Sequence, residues 1–128
     1  MPKSLKDFVA EAKNRVREVG VEEAAKQIES DASILVLDVR EPGEYTERRI
    51  RGALNVPRGM LEAKADRDYP GREPRLQDRR QPIIVHCASG ARSAMAAAVL
   101  QEMGFENVRS LAGGIVEWEK AGKPLERS

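Results

Sequence analysis

With 128 residues the chain suits one compact domain and leaves little room for a second. A formal net charge of +1 excludes the broad basic footprint of a nucleic-acid binder, while 34% charged residues promise a soluble surface. One cysteine rules out an internal disulfide and, with the single histidine directly beside it, argues against a zinc site. Only five aromatic residues are present, so the core must be built mainly from Val, Leu, Ile and Ala. The lone cysteine favours a reducing compartment. The first residues lack a signal-peptide core, and no apolar run approaches the ~20 residues of a membrane span. On these grounds the chain reads as cytoplasmic, with no nucleic-acid or membrane partner.

From Ser4 to Val19, apolar residues recur at Leu5, Phe8, Val9, Ala12, Val16 and Val19. That spacing predicts a helix, and Ser4 with Asp7 supplies a capping signal. Gly20 interrupts it, and Val21 to Ile28 predicts a second short amphipathic helix. The unbroken branched run Ile34-Leu35-Val36-Leu37 predicts a strand buried on both faces. Pro42 can start a helical turn or two over residues 41–47. Ala53-Leu54-Asn55-Val56 is a weaker strand. Residues 62–81 are polar, with Pro70, Gly71 and Pro74, and read as a surface loop. Pro82 to His86 predicts the second strong strand. Arg92 to Met103 predicts an Ala-rich helix closed by Gly104. Val108 marks a short strand, and Gly113-Gly114 opens a last helix through Trp118 to about Lys120. Strands alternating with helices imply an α/β domain with a mostly parallel sheet. Residues 1–18 read as a helical extension and 19–128 as that domain.

The segment Val85-His86-Cys87-Ala88-Ser89-Gly90-Ala91-Arg92-Ser93 carries the chemistry. A buried strand runs into a cysteine, a loop of small residues and the start of a helix. Small side chains let backbone N–H groups turn inward as an anion-binding nest, and the helix aims its positive end there. A thiolate held in that place is stabilised and reactive. Cys87 is thus the candidate nucleophile, and Ala88, Ser89, Gly90, Ala91 and Arg92 the candidate binding loop. Arg92 could hold an oxyanion bidentately. Ser93 is placed to support the loop or the helix start. His86, one residue along a strand from Cys87, should face the other way. Asp38 ends a strand of the same sheet and, with Arg40 and Glu44, reads as a supporting ion-pair network.

Four segments in order resemble the rhodanese-like family. Cys87 to Ser93 is similar to its active-site loop, C-x-S-G-x-R-S. Asp38-Val39-Arg40-Glu41-Pro42-Gly43-Glu44-Tyr45 resembles D-V-R-x-x-x-E-[FY]. Gly52 to Pro57 resembles G-A-x-N-[VI]-P. Gly104-Phe105 with Val108, then Gly113-Gly114 with Trp118, resemble the closing pattern. The likeness spans about residues 19–124. Arg49-Ile50 stands where the family often has His-Ile, and the N-terminal helix is longer than the family needs. The resemblance implies a central parallel sheet with helices on both faces. It also implies sulfur transfer through a Cys87 persulfide, from a small anionic donor such as thiosulfate to cyanide or a thiol. Neither a metal nor an organic cofactor is implied. Within the same superfamily the alternatives are a cysteine-based phosphatase or arsenate reductase, and a non-catalytic docking or redox-sensing domain. The loop places four residues between Cys87 and Arg92, whereas the superfamily's phosphatases place five.

Overall fold

The computed structural model describes residues 2–127. The chain runs α1 (Leu5–Arg15), β1 (Arg17–Val19), α2 (Val21–Ser30), β2 (Leu35–Asp38), α3 (Pro42–Glu47), β3 (Arg48–Ile50), β4 (Leu54–Asn55), α4 (Leu61–Ala65), β5 (Ile83–His86), α5 (Ala91–Glu102), β6 (Val108–Leu111), α6 (Gly114–Lys120) and β7 (Leu125–Arg127).

The two branched apolar runs become adjacent central strands because both of their faces need cover. Every residue of β2 and β5 is buried, and the two pair in parallel with Asp38 opposite His86. The full sheet has the order β1-β6-β5-β2-β4, with each neighbouring pair parallel. From β2 the chain moves outward to β4, then returns to β5 and leaves on the other side to β6. The crevice beyond the ends of β2 and β5 is therefore the switch point at which ligands bind in open α/β sheets.

Alternation along β5 divides the core. Ile83, Val85 and Cys87 pack on one face with Leu61, Ala97, Leu100 and Phe105. Ile84 packs on the other with Ala24, Ile115 and Trp118. Helices α4 and α5 thus cover one face and α2 and α6 the opposite one. A separate two-stranded antiparallel ribbon joins β3 to β7, pairing Ile50 with Leu125.

The N-terminal segment differs from the helix expected up to Val19. Ser4 caps α1 in a reciprocal capping box with Asp7, as its sequence suggests, but the helix ends at Arg15. Arg17–Val19 instead forms the edge strand β1 against Arg109–Leu111 of β6. The ladder, with Val19 buried, prevails over the helical spacing. Helix α1 lies on α5, where Ala12 meets Ala94 and Ala98. The polar stretch 62–81 is also more than a loop. It begins in α4 and includes a short helical turn at Pro74–Leu76, and Leu61, Ala65 and Leu76 anchor it in the core. Among the described residues no helix is long and apolar enough to cross a membrane.

Candidate active site at the end of the central strand

Cys87 follows β5 directly and is 1% exposed. The chain must then reverse quickly from strand to helix, and Gly90 permits this with φ 113, a left-handed value that side chains disfavour. The turn aims the Gly90 N–H at Cys87 Sγ, 3.0 Å away. The Ser93 N–H, in the first turn of α5, points at the same sulfur from 3.3 Å. Two backbone donors and the positive end of a 12-residue helix thus converge on one atom. The N–H groups of Ala91 and Arg92 share that first turn, where a helix offers no internal acceptor.

Two hydroxyls extend the cradle downward. Ser93 Oγ lies 3.5 Å from Cys87 Sγ, 3.2 Å from the Gly90 carbonyl and 2.8 Å from Ser110 Oγ on β6. Both serines are fully buried. Ser93 has one O–H proton. When it donates to the sulfur, Ser110 can donate to Ser93, so Ser110 keeps the first hydroxyl satisfied in either orientation.

The loop is also gripped from outside by α6. Ile115 N–H donates to the Cys87 carbonyl at 3.0 Å, and Val116 N–H to the Ala88 carbonyl at 3.2 Å. This approach leaves no room for a side chain at the helix start. A Cβ on Gly114 would sit 2.4 Å from the Ala88 oxygen, and its φ of 59 is left-handed as well. Two requirements therefore select glycine at position 114, and the Gly113-Gly114 pair has its physical reason.

Across the crevice, β2 delivers Asp38 and Arg40, 0% and 2% exposed. Asp38 Oδ1 accepts from the Arg40 backbone at 2.9 Å, and Oδ2 from Arg40 Nη2 at 2.8 Å. Nη2 also donates to the Arg48 carbonyl, while Asn55 Nδ2 donates to the carbonyls of Asp38 and Arg40. His86 is turned away from the sulfur, its Nε2 3.7 Å from Asp38 Oδ2. That nitrogen has no hydrogen-bond partner among the described residues. Burial pushes the imidazole below its ordinary value and outweighs the attraction of Asp38.

Two sequence expectations change here. Glu44 is outside the Asp38–Arg40 pair, and Arg92 is not an unengaged clamp. Helix α3 carries Glu44 to the mouth of the loop. There its carboxylate takes Arg92 Nη1 at 3.0 Å and Nη2 at 3.2 Å. The bidentate fork that would suit an anion is occupied by the protein's own carboxylate. The Arg92 guanidinium holds the Glu44 carboxyl down to about 2. Ser110 and the Glu44–Arg92 contact were not visible in the sequence. Each depends on long-range placement, 17 residues in one case and 48 in the other.

A cysteine cradled by amides at the carboxyl end of a parallel sheet, with a helix start behind it, defines a class of α/β domains built around a cysteine loop. The chain belongs to the rhodanese-like domain family, whose family model matches residues 20–121. It is 28% identical to a sulfurtransferase of Allochromatium vinosum, over 86% of this chain and 94% of that one. It is 33% identical to the thiosulfate sulfurtransferase GlpE of Actinobacillus succinogenes, over 85% and 89% of the two chains. A solved structure from Rhodopseudomonas palustris, of a protein of unknown function described as a possible tyrosine phosphatase, has a TM-score of 0.91. It is 31% identical, over 98% of this chain and 96% of that one. The two sulfurtransferase relatives support a protein of the sulfurtransferase kind.

Proposed function

We propose that the chain transfers sulfane sulfur through a persulfide on Cys87. In the first half-reaction the thiolate attacks the outer sulfur of a donor, of which thiosulfate is the simplest. A bond forms between Cys87 Sγ and that sulfur, the donor's S–S bond breaks, and sulfite leaves with the electron pair. In the second half-reaction cyanide or a thiol attacks the outer sulfur, and the Cys87 thiolate departs. Charge balances in both halves, and no metal or organic cofactor takes part.

One observation carries this reading: the Gly90 and Ser93 N–H groups stand 3.0 and 3.3 Å from a buried sulfur that has no basic side chain on it. Such donors stabilise negative charge without reorganising. The outer sulfur of a persulfide stands about 2.05 Å from Sγ. That step carries the reacting atom from the buried floor toward the N–H groups of Ala91 and Arg92 and the part-exposed Ala88 and exposed Ser89. Ser93, Asp38 and Arg40 support the loop rather than touch the donor.

Phosphoryl transfer fits less well. A phosphoryl group needs donors for three outer oxygens, yet only four residues separate Cys87 from Arg92, and Glu44 already fills the Arg92 fork. The test compares wild type with Cys87→Ser for thiocyanate formation from thiosulfate and cyanide, and for p-nitrophenyl phosphate hydrolysis. Thiocyanate formation lost in the variant is the expected result. Equal rates in both proteins, or Cys87-dependent phosphatase turnover without sulfur transfer, would overturn the proposal.

A further inference from the structure

The Glu44–Arg92 pair stands at the mouth of the cradle, with side chains 38% and 35% exposed. Arg92 lies in the first turn of α5, at the end of the loop that cradles Cys87, so the pair flanks the site. Glu44 is not a loose partner. Its Oε2 also accepts the Glu41 N–H at 2.9 Å, which fixes the carboxylate on the first turn of α3 before Arg92 meets it. With its carboxyl held near 2, Glu44 stays ionised throughout the neutral range.

The charges around the mouth can be counted. Arg92 contributes one positive charge and Glu44 one negative. Asp38 and Arg40 neutralise each other and lie deeper. Apart from amide dipoles, an incoming anion therefore meets Arg92 already paired with a carboxylate rather than as a bare cation. A dianion must displace a doubly held carboxylate to reach Arg92, whereas a donor of lower charge has no need of Arg92.

We propose that Glu44 is a specificity-determining residue that, by occupying Arg92, sets the mouth against doubly charged sulfur donors and toward organic persulfides, R–S–SH. The proposal rests on the sulfur-transfer reading above. In the favoured reaction the Cys87 thiolate forms a bond to the terminal sulfur, the R–S to S bond breaks, and R–S⁻ leaves. The terminal proton stays on the transferred sulfur, so atoms and charge balance.

Two readouts test this in wild type and Glu44→Gln, which keeps shape and removes charge. The first is kcat/KM for thiosulfate against benzyl persulfide, with cyanide as acceptor. The second is the rate of Cys87 alkylation by anionic iodoacetate relative to neutral iodoacetamide, which needs no sulfur transfer. Glu44→Gln should raise both the thiosulfate-to-persulfide ratio and the iodoacetate-to-iodoacetamide ratio about ten-fold, the scale of one freed charge-assisted contact. Should that variant fail to fold, Arg92→Gln reads the pair from the other side, and the alkylation ratio should fall below wild type. Ratios unchanged in a folded variant would overturn the proposal. A raised alkylation ratio without sulfur transfer from either donor would keep the charge gate and sink the sulfur-transfer reading instead.

Discussion

Two loops leave neighbouring strands at the same end of the sheet and solve opposite problems. After β2, Asp38 and Arg40 close a buried ionic knot in which side chains satisfy one another and the surrounding carbonyls. After β5, the Cys87 loop is built from small residues, and backbone N–H groups together with the Ser93 hydroxyl face the sulfur. The knot holds charge by pairing it, which suits a group that must never change. The cradle faces its sulfur with dipoles fixed by the fold, which suits the sulfur-carrying role proposed for Cys87. Keeping them on adjacent strands in register, with Asp38 opposite His86, lets the rigid loop brace the reactive one.

The contrast predicts that damage to the knot is read in stability and damage to the cradle in chemistry. The largest effect should come from Arg40→Ala, which leaves the Asp38 carboxylate buried and alone. Urea unfolding should report a loss of about 3–5 kcal/mol, most of it recovered in the Asp38→Leu, Arg40→Met double variant. Gly114→Ala comes next. Its new Cβ must push the Ala88 carbonyl away, and a shift of about 1 Å costs on the order of a hundred-fold in rate. Iodoacetamide alkylation of Cys87 and sulfur transfer should fall together, and wild-type rates would show that the grip of α6 does not set the loop.

Smaller effects sharpen the same division. Ser110→Ala removes the hydroxyl behind Ser93 and should slow sulfur transfer about five-fold, the worth of one hydrogen bond of about 1 kcal/mol. Ser110→Thr should restore it, whereas an unaltered rate in Ser110→Ala would confine Ser110 to packing. An effect spread over pH concerns His86, whose proton affinity is lowered by burial in the folded chain. The unfolded chain takes up that proton below its ordinary value of 6.5. Stability is therefore whole above that pH and declines as pH falls through it, by at most about 1.4 kcal/mol per pH unit. Urea midpoints at descending pH should show the decline in wild type and a flatter profile in His86→Gln.

Much of this architecture could be read from the sequence where a short stretch carries its own reason. The runs at Leu35–Leu37 and Ile83–Val85 are strands because they are apolar on both faces, and Cys87 to Arg92 is a strand-to-helix turn because Gly90 permits one. The sequence misleads where a partner far along the chain decides. Arg17 and Glu18 are exposed and charged, and only the ladder to β6 makes them a strand. The ribbon of β3 and β7 is likewise dominated by arginine and glutamate, with Ile50 its one buried residue. The spacing of the D-V-R-x-x-x-E segment suggested that Glu44 belonged with Asp38 and Arg40. The short helix α3 instead swings it to Arg92, a direction no local pattern encodes.

The hold of Ile115 and Val116 on the loop carbonyls has a consequence during synthesis. Cys87 leaves the ribosome well before the residues that fix its position, and β1 must wait still longer for its neighbour β6. At about 5–20 residues per second, the interval between residues 87 and 116 is measured in seconds. During that interval the thiol belongs to an unfinished sheet, with its carbonyls unheld. The nascent chain therefore carries Cys87 for seconds without the hydrogen bonds that α6 makes to its loop.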